Sequence, residues 1–252
     1  MVQIGTTNRC NEKCVFCPNP TMTKAKGVMG LGMFRRIVEE NEAGIYDLCN
    51  FGEPLLDAGI AEKIRLIREL RPAAEIYFHT NGKLLVPRKA DELHAAGLSR
   101  IVVSIYGFGQ ERMAEFMPLG NWNLVVQNVA YCARLIPTMV VGTPTDQVEM
   151  ATRFWEALGC TTHYNSITDY EDHVTGPKVV APIQKCTFAL GYRTFDWDGA
   201  MVMCCMDFNS KTKFGQVGVD DYEAARARVT SASGFCETCA LRPELAAYLG
   251  VE

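Results

Sequence analysis

Cys10-Asn11-Glu12-Lys13-Cys14-Val15-Phe16-Cys17 puts three thiols on one short turn near the start of the chain, and no other feature constrains the fold so tightly. Soft thiolates at this density select an iron–sulfur cluster, zinc or Cu(I). Zinc sites usually hold their cysteines in pairs separated by a longer loop. A four-iron cubane is therefore the better match, with a zinc knuckle or unliganded thiols as alternatives. Such a cubane takes four ligands and this loop supplies three. One iron keeps an open position, as catalytic metal sites do.

Whatever carries that loop has room for one sizeable core. The chain has 252 residues, 48% apolar and 21% charged, ordinary for a soluble globular enzyme. It has no apolar run of membrane-spanning length and no basic-then-apolar start, so a cytoplasmic location is expected. Eleven cysteines, an odd count, then read as metal ligands or reduced thiols rather than disulfides. A net charge of −4 argues against wholesale nucleic-acid binding. The first 36 residues are nonetheless basic: Arg9, Lys13, Lys24, Lys26, Arg35 and Arg36 face only Glu12. This is a solvated basic loop or a docking face for an acidic electron donor.

Up to about residue 170, short apolar runs alternate with amphipathic stretches. Strands are expected over Val2–Thr6, Tyr46–Asn50, Glu75–His79, Arg100–Ile105, Met139–Gly142 and Thr162–Ser166. Helices are expected over Gly32–Ala43, Gly59–Leu70, Pro87–Ala96, Trp122–Leu135 and Asp146–Leu158. This order predicts a parallel α/β sheet with right-handed crossovers. Six strands are too few for an eight-stranded barrel, so the expectation is a partial, TIM-like (β/α)6 barrel. Its chemistry belongs on the loops at the C-terminal strand ends, which is where the three-cysteine loop lies. Beyond Tyr170, Gly176-Pro177 and Ala181-Pro182 punctuate a linker. Runs at Tyr192–Phe195 and Ala200–Cys205, joined by Asp196-Trp197-Asp198-Gly199, read as a hairpin. Short helices over Asp221–Val229 and Pro243–Leu249 complete a small cysteine-rich extension. The domains expected are 1–170 and 171–252.

A C-x3-C-x2-C loop after the first strand of a βα barrel resembles the radical S-adenosylmethionine (SAM) superfamily. The resemblance implies a [4Fe-4S] cluster on Cys10, Cys14 and Cys17 whose open iron is chelated by SAM. It also implies reductive cleavage of SAM to a 5′-deoxyadenosyl radical. Phe16 then lies where the family places an apolar side chain near adenine, although packing explains it equally. Cys49-Asn50-Phe51-Gly52-Glu53-Pro54 resembles the family's Gly-Gly-Glu motif for the SAM amino group, with Phe51 in place of the first glycine. Asn81, in His79-Thr80-Asn81-Gly82, resembles a third-strand Thr-Asn-Gly and is also a good turn. Ser104 fits a fourth-strand position that contacts SAM. Gly142 stands where a fifth strand brings its backbone close to adenine, or simply ends.

The late cysteines form a second group. Cys186, Gly199 with Cys204 five residues on, and the pair Cys236 and Cys239 resemble a SPASM domain in its shortened, one-cluster Twitch form. The resemblance implies a second [4Fe-4S] cluster on Cys186, Cys204, Cys236 and Cys239, with a four-thiolate zinc site as the alternative. Full cysteinyl ligation suits electron transfer. Cys49, Cys132, Cys160 and Cys205 are left over. Cys132 reads as core packing. Cys49, and Cys160 or Cys205, are the candidates to return a hydrogen atom to a substrate radical. His163 is a candidate to face a substrate, as is the polar run Asp169, Glu171, Asp172 and His173, for which a solvated connecting loop is the alternative.

Enzymes of this layout resemble peptide modifiers or oxidants and epimerases of small polyols and aminocyclitols. The first cysteine follows too soon for a leader-binding domain, so a small-molecule substrate is expected, with a flavodoxin- or ferredoxin-type reductant. The layout is similar to that of the aminocyclitol dehydrogenase of butirosin biosynthesis. The expected reaction is therefore alcohol oxidation, with epimerisation, peptide modification and a non-catalytic iron–sulfur or zinc protein as alternatives.

Overall fold

Each short strand alternates a residue for the helices with one for the space the sheet encloses, and this two-sidedness shapes the molecule. The computed structural model describes residues 1–143, 145–165 and 191–229. Its strands are β1 Val2–Ile4, β2 Ile45–Asp47, β3 Glu75–Tyr77, β4 His79–Thr80, β5 Ile101–Ser104, β6 Thr138–Gly142 and β7 Thr161–Tyr164. Helices α1 Leu31–Glu40, α2 Ile60–Leu70, α3 Pro87–Ala95, α4 Gln110–Phe116, α5 Trp122–Cys132 and α6 Val148–Ala157 alternate with them. The fold is an α/β partial barrel. β1, β2 and β3 pair in parallel, as do β4, β5, β6 and β7. Only Phe78 separates β3 from β4, so one bent strand carries the arc from the first sheet to the second.

Ile4, Tyr46, Leu48, Ile76, Phe78, Ile101, Val103 and Val140 face outward and join Phe34, Ile37, Ile64, Ile67, Leu93 and Val129 in the main core. The inner face is more polar. Gln3 is level with Asp47 and Asp47 with Tyr77. Ser104 is level with Val141, and Val141 with His163.

The extension adds β8 Arg193–Phe195, β9 Ala200–Val202, β10 Lys213–Gln216 and α7 Tyr222–Ala227. The hairpin stands where the Asp-Gly signal put it, with Gly199 at φ +81°. Its first strand does more than the motif announced. β8 runs parallel to β1 and takes that strand's free edge, so the described sheet reads β10-β9-β8-β1-β2-β3. α4, β10 and the break at Phe78 were not expected. The expected helix over Pro243–Leu249 and the linker prolines lie outside the described residues.

Two of the basic residues near the start are tied down by the fold. Lys24 pairs with Asp196 of the hairpin turn. Lys26 donates to Asn8 O at 3.1 Å and to Asn19 O at 2.9 Å. Arg35 and Arg36 pair with Glu39 and Glu40 one helical turn on. The basic tract is therefore largely structural, and Arg9 and Lys13 remain exposed.

Beneath the mouth, Asp47 is fully enclosed, and burial pushes its carboxyl up to about 7. It accepts from Cys49 N at 3.1 Å and from Gln3 Nε2 at 3.3 Å, while Gln3 Oε1 has no partner among the described residues. The folded chain thus holds this proton more tightly than the unfolded chain, whose carboxyl titrates near 3.8. The stabilisation is complete below that value and is lost progressively as the pH rises to about 7. Asp47→Asn has no charge to bury, and its amide can donate to Gln3 Oε1. Thermal melts should show the variant more stable than wild type at pH 8, by up to a few kcal/mol, with the gap narrowing at pH 5.

Candidate functional site

The cluster loop springs from β1 and is held by neighbouring strand ends. Cys17 N donates to Cys14 O at 3.0 Å, which closes the turn. Glu12 is buried inside the motif and accepts from Lys13 N at 3.0 Å, Leu119 N at 2.9 Å and Lys83 Nζ at 2.8 Å. Asn81 Nδ2 donates to Asn11 Oδ1 at 2.7 Å. Asn81, expected only as a cofactor contact, thus also fastens the loop to the third strand's end.

The three thiols share one half-buried patch. Burial pushes Cys10 up to about 11, and the charges of Glu53, Cys17 and Glu12 add to it. Cys14 is raised by burial and then by Cys17, Glu12 and Cys10, and Cys17 is raised by burial. Such thiols cannot all ionise unless positive charge arrives among them. Iron is that charge, since metals deprotonate the thiols they bind. The donor set therefore fits a cluster held by Cys10, Cys14 and Cys17.

Beside the loop, Glu53 is buried and its carboxylate is committed. Oε1 accepts from Leu55 N at 3.0 Å and Thr80 Oγ1 at 2.8 Å, and Oε2 from Asn81 N at 2.8 Å. Glu53 works mainly as a brace between the second and third strand ends. Gly52 is required by contact: a Cβ there would lie 2.1 Å from Thr7 O and 2.8 Å from Thr7 C. Phe51, the departure from the double-glycine pattern, is buried and meets Phe208 edge-to-face with ring centroids 5.9 Å apart. It joins the motif to the extension.

Phe16 packs edge-to-face on Tyr106 with centroids 4.5 Å apart, and burial raises Tyr106 to about 12. Tyr106 stands among the cysteines and was missed. Its signal was its place two residues beyond Ser104, on the same strand face. Lys83 was likewise two residues beyond Asn81. Ser104 lies at the mouth end of β5. Gly142 has a packing reason of its own, because a Cβ there would meet Ile105 O at 2.7 Å. His163 is exposed on β7, level with Val141 on the inner face. Cys49 is buried, and its thiol faces Asn50 O at 3.4 Å and Gly52 O at 3.7 Å. Cys204 and Cys205 follow β9 side by side and are half-buried. Cys186, Cys236 and Cys239 lie outside the described residues.

The family model of the radical SAM superfamily matches residues 4–154, more than half of the chain, including the cluster loop, the Gly52-Glu53 motif and the strand ends through β6. The chain belongs to the radical SAM superfamily. Among curated relatives, a GTP 3′,8-cyclase of Limosilactobacillus fermentum is 32% identical over 148 residues, covering 53% of this chain and 42% of the relative. The chain thus matches less than half of that relative's length. Among solved structures, BtrN in complex with AdoMet and 2-DOIA has a TM-score of 0.61 at 16% identity, over 95% of this chain and 92% of that one. Native anSMEcpe with bound AdoMet has a TM-score of 0.70 at 14% identity, over 94% and 82%. At these identities the likeness is one of fold. As a radical SAM protein the chain is an enzyme whose cofactors are a [4Fe-4S] cluster and SAM. Among the described residues no helix is long and apolar enough to cross a membrane.

Proposed function

We propose that this radical SAM enzyme is an oxidoreductase acting on an alcohol carbon of a small polyol, sugar or aminocyclitol. One hydrogen atom leaves the carbinol carbon, one proton leaves its hydroxyl, one electron is withdrawn, and a carbonyl remains. When bound, SAM at the first cluster supplies the radical that accepts the hydrogen atom, and a second [4Fe-4S] cluster supplies the electron acceptor. The reading is carried by one observation. β9 delivers Cys204 from a strand ladder continuous with β1, so the extension's cysteine pair and the cluster loop hang on the same sheet. Cys204 with Cys186, Cys236 and Cys239 would hold the second cluster in a Twitch-like domain.

The chain's own residues prepare the site. Glu12, Lys83 and Asn81 fix the loop that bears the cysteines. Gly52 and Glu53 bring the second strand's end against it, and Phe16 with Tyr106 closes an apolar wall. A flavodoxin- or ferredoxin-type reductant is proposed as the electron source, met by the exposed Arg9 and Lys13.

Redox-neutral epimerisation is the second reading. Cys205 favours it, as a half-exposed thiol beside Cys204 that the cluster assignment leaves spare. Anaerobic reconstitution followed by SAM and reductant separates the two. About eight irons per chain, 5′-deoxyadenosine formation and a ketone product support oxidation. About four irons, with solvent deuterium entering a substrate carbon, support epimerisation. No 5′-deoxyadenosine would overturn both.

A further inference from the structure

We propose that the extension positions the cluster loop for SAM, and that Lys24 and Phe51 are the positioning residues through which it does so. This holds for either reaction considered above, since both begin with SAM at the first cluster.

The segment that leaves Cys17 is tied to the core at two points before α1 begins. Asn19 Nδ2 donates to Asn8 O at 2.9 Å and to Phe51 O. Further on, Gly27 N donates to Asn8 Oδ1 at 2.8 Å and Gly27 O accepts from Thr7 Oγ1 at 2.6 Å. Between these ties, Thr23 and Lys24 are held by the extension. Thr23 N donates to Asn209 Oδ1 at 2.9 Å, and Lys24 Nζ donates to Asp196 Oδ2 and, at 2.9 Å, to Ser210 Oγ. The Trp197 ring covers Gly27, where a Cβ would run into it.

The groups that do the holding are themselves fixed. Asp196 is 4% exposed, and Ser210 Oγ donates to the same carboxylate oxygen that Lys24 meets. Ser210 stands at φ +54°, where a residue with a side chain is seldom found. Asp207 braces this turn by accepting from Thr212 N and, at 2.7 Å, from Thr212 Oγ1. Only 12% of the Lys24 side chain is exposed, so its ammonium has exchanged most of its water for these partners.

The second grip is on the motif. Phe51 O takes the Asn19 amide, while its ring meets Phe208, two residues before Ser210. Glu53 N in turn donates to Arg9 O at 2.8 Å, beside Cys10. Loop, motif and extension turn therefore meet as one unit. SAM would be held by the loop's open iron and the Gly52-Glu53 motif together, so its affinity depends on how the two are set. In such a site a shift of about 1 Å can cost about 100-fold. A glycine at position 51, as in the family's pattern, would give Phe208 no ring to hold.

Equilibrium dialysis of SAM against the anaerobically reconstituted protein, with EPR of the reduced first cluster, tests this. Phe208→Ala removes the ring that Phe51 meets. Lys24→Met combined with Asp196→Asn removes the ion pair without leaving a buried charge unpaired. Each should keep wild-type iron and bind SAM about tenfold or more weakly. The change that SAM makes in the EPR spectrum should appear only at correspondingly higher SAM. Lys211→Met, at an exposed residue of the same turn, should match wild type. Circular-dichroism melts establish that each variant is folded. Either folded, iron-loaded variant that binds SAM as wild type does overturns the inference. So does equal weakening by Lys211→Met, or loss of iron in step with SAM, which would make the contacts a requirement of cluster assembly. SAM binding is read without any polyol, so failure here leaves the proposed reaction standing.

Discussion

Cys14→Ala should reduce SAM cleavage to below detection and strip the first cluster's iron. The three thiols act as one donor set. Cys14 is raised by burial and then by Cys17, Glu12 and Cys10, so its thiolate depends on metal charge. Two remaining thiolates cannot hold three irons of a cubane, and the open position for SAM is lost with it. The apoprotein fold should survive, because Cys14 is only partly buried against the core and the loop is fastened independently through Glu12, Lys83 and Asn11. Iron analysis, 5′-deoxyadenosine by chromatography and a melting curve check the three parts. A variant retaining full iron and cleavage would show that the loop does not carry the reactive cluster.

Gly52→Ala should damage both stability and SAM use through a single methyl. Its Cβ would meet Thr7 O, Thr7 C and the Asn8 Cα at 2.1, 2.8 and 3.0 Å, all backbone atoms with no rotamer to yield. One segment must move. Thr7 is tied to Gly27 O at 2.6 Å and Asn8 to Ala25 O at 2.8 Å, so displacement on that side disturbs the base of the cluster loop. Displacement on the other side takes Glu53 from its three donors. Overpacking of this kind costs about 1–3 kcal/mol, and loosening a charged, buried hydrogen-bond set adds about 1.5–3 kcal/mol. Denaturant titration should show a loss of several kcal/mol, and SAM affinity should fall with it. Glu53→Gln is the milder companion: it keeps the shape, and its one amide oxygen can keep the Leu55 and Thr80 bonds while the Asn81 bond is lost, so it should lose less. If Gly52→Ala matched wild type in both measurements, the close approach would have no consequence for the site.

Much of the site was legible because its signals are local. The cysteine spacing needs no tertiary information, and the βα order places that loop at a strand's C-terminal end. Helices α2 and α3 begin and end within one residue of expectation, since Gly59 and Pro87 punctuate them clearly. The hairpin followed from Asp198-Gly199 for the same reason. α4 was missed because it is short and follows Gly107-Phe108-Gly109, a stretch that reads as loop. Asn81 and Glu53 were found as motif letters, but the bonds from Asn81 to Asn11 and from Thr80 and Asn81 to Glu53 join segments far apart in the chain.

By itself the sequence determined the ligand type, the open corner of the cluster and the parallel α/β class, because thiol chemistry and period-two and period-3.6 patterning act over a few residues. Only the tertiary structure decided what surrounds those ligands. The burial that raises Cys10, Cys14 and Cys17, and the neighbouring charge that adds to it at Cys10 and Cys14, depend on how three strand ends converge. Lys24 and Lys26 looked like surface charge until the fold turned them toward Asp196 and Asn19. The pairing of β8 with β1, which sets Asp196 beside Gly5 and Asn50, joins residues nearly 200 positions apart. Backbone edges find each other by shape and hydrogen-bond demand, and no short stretch of chain encodes that meeting.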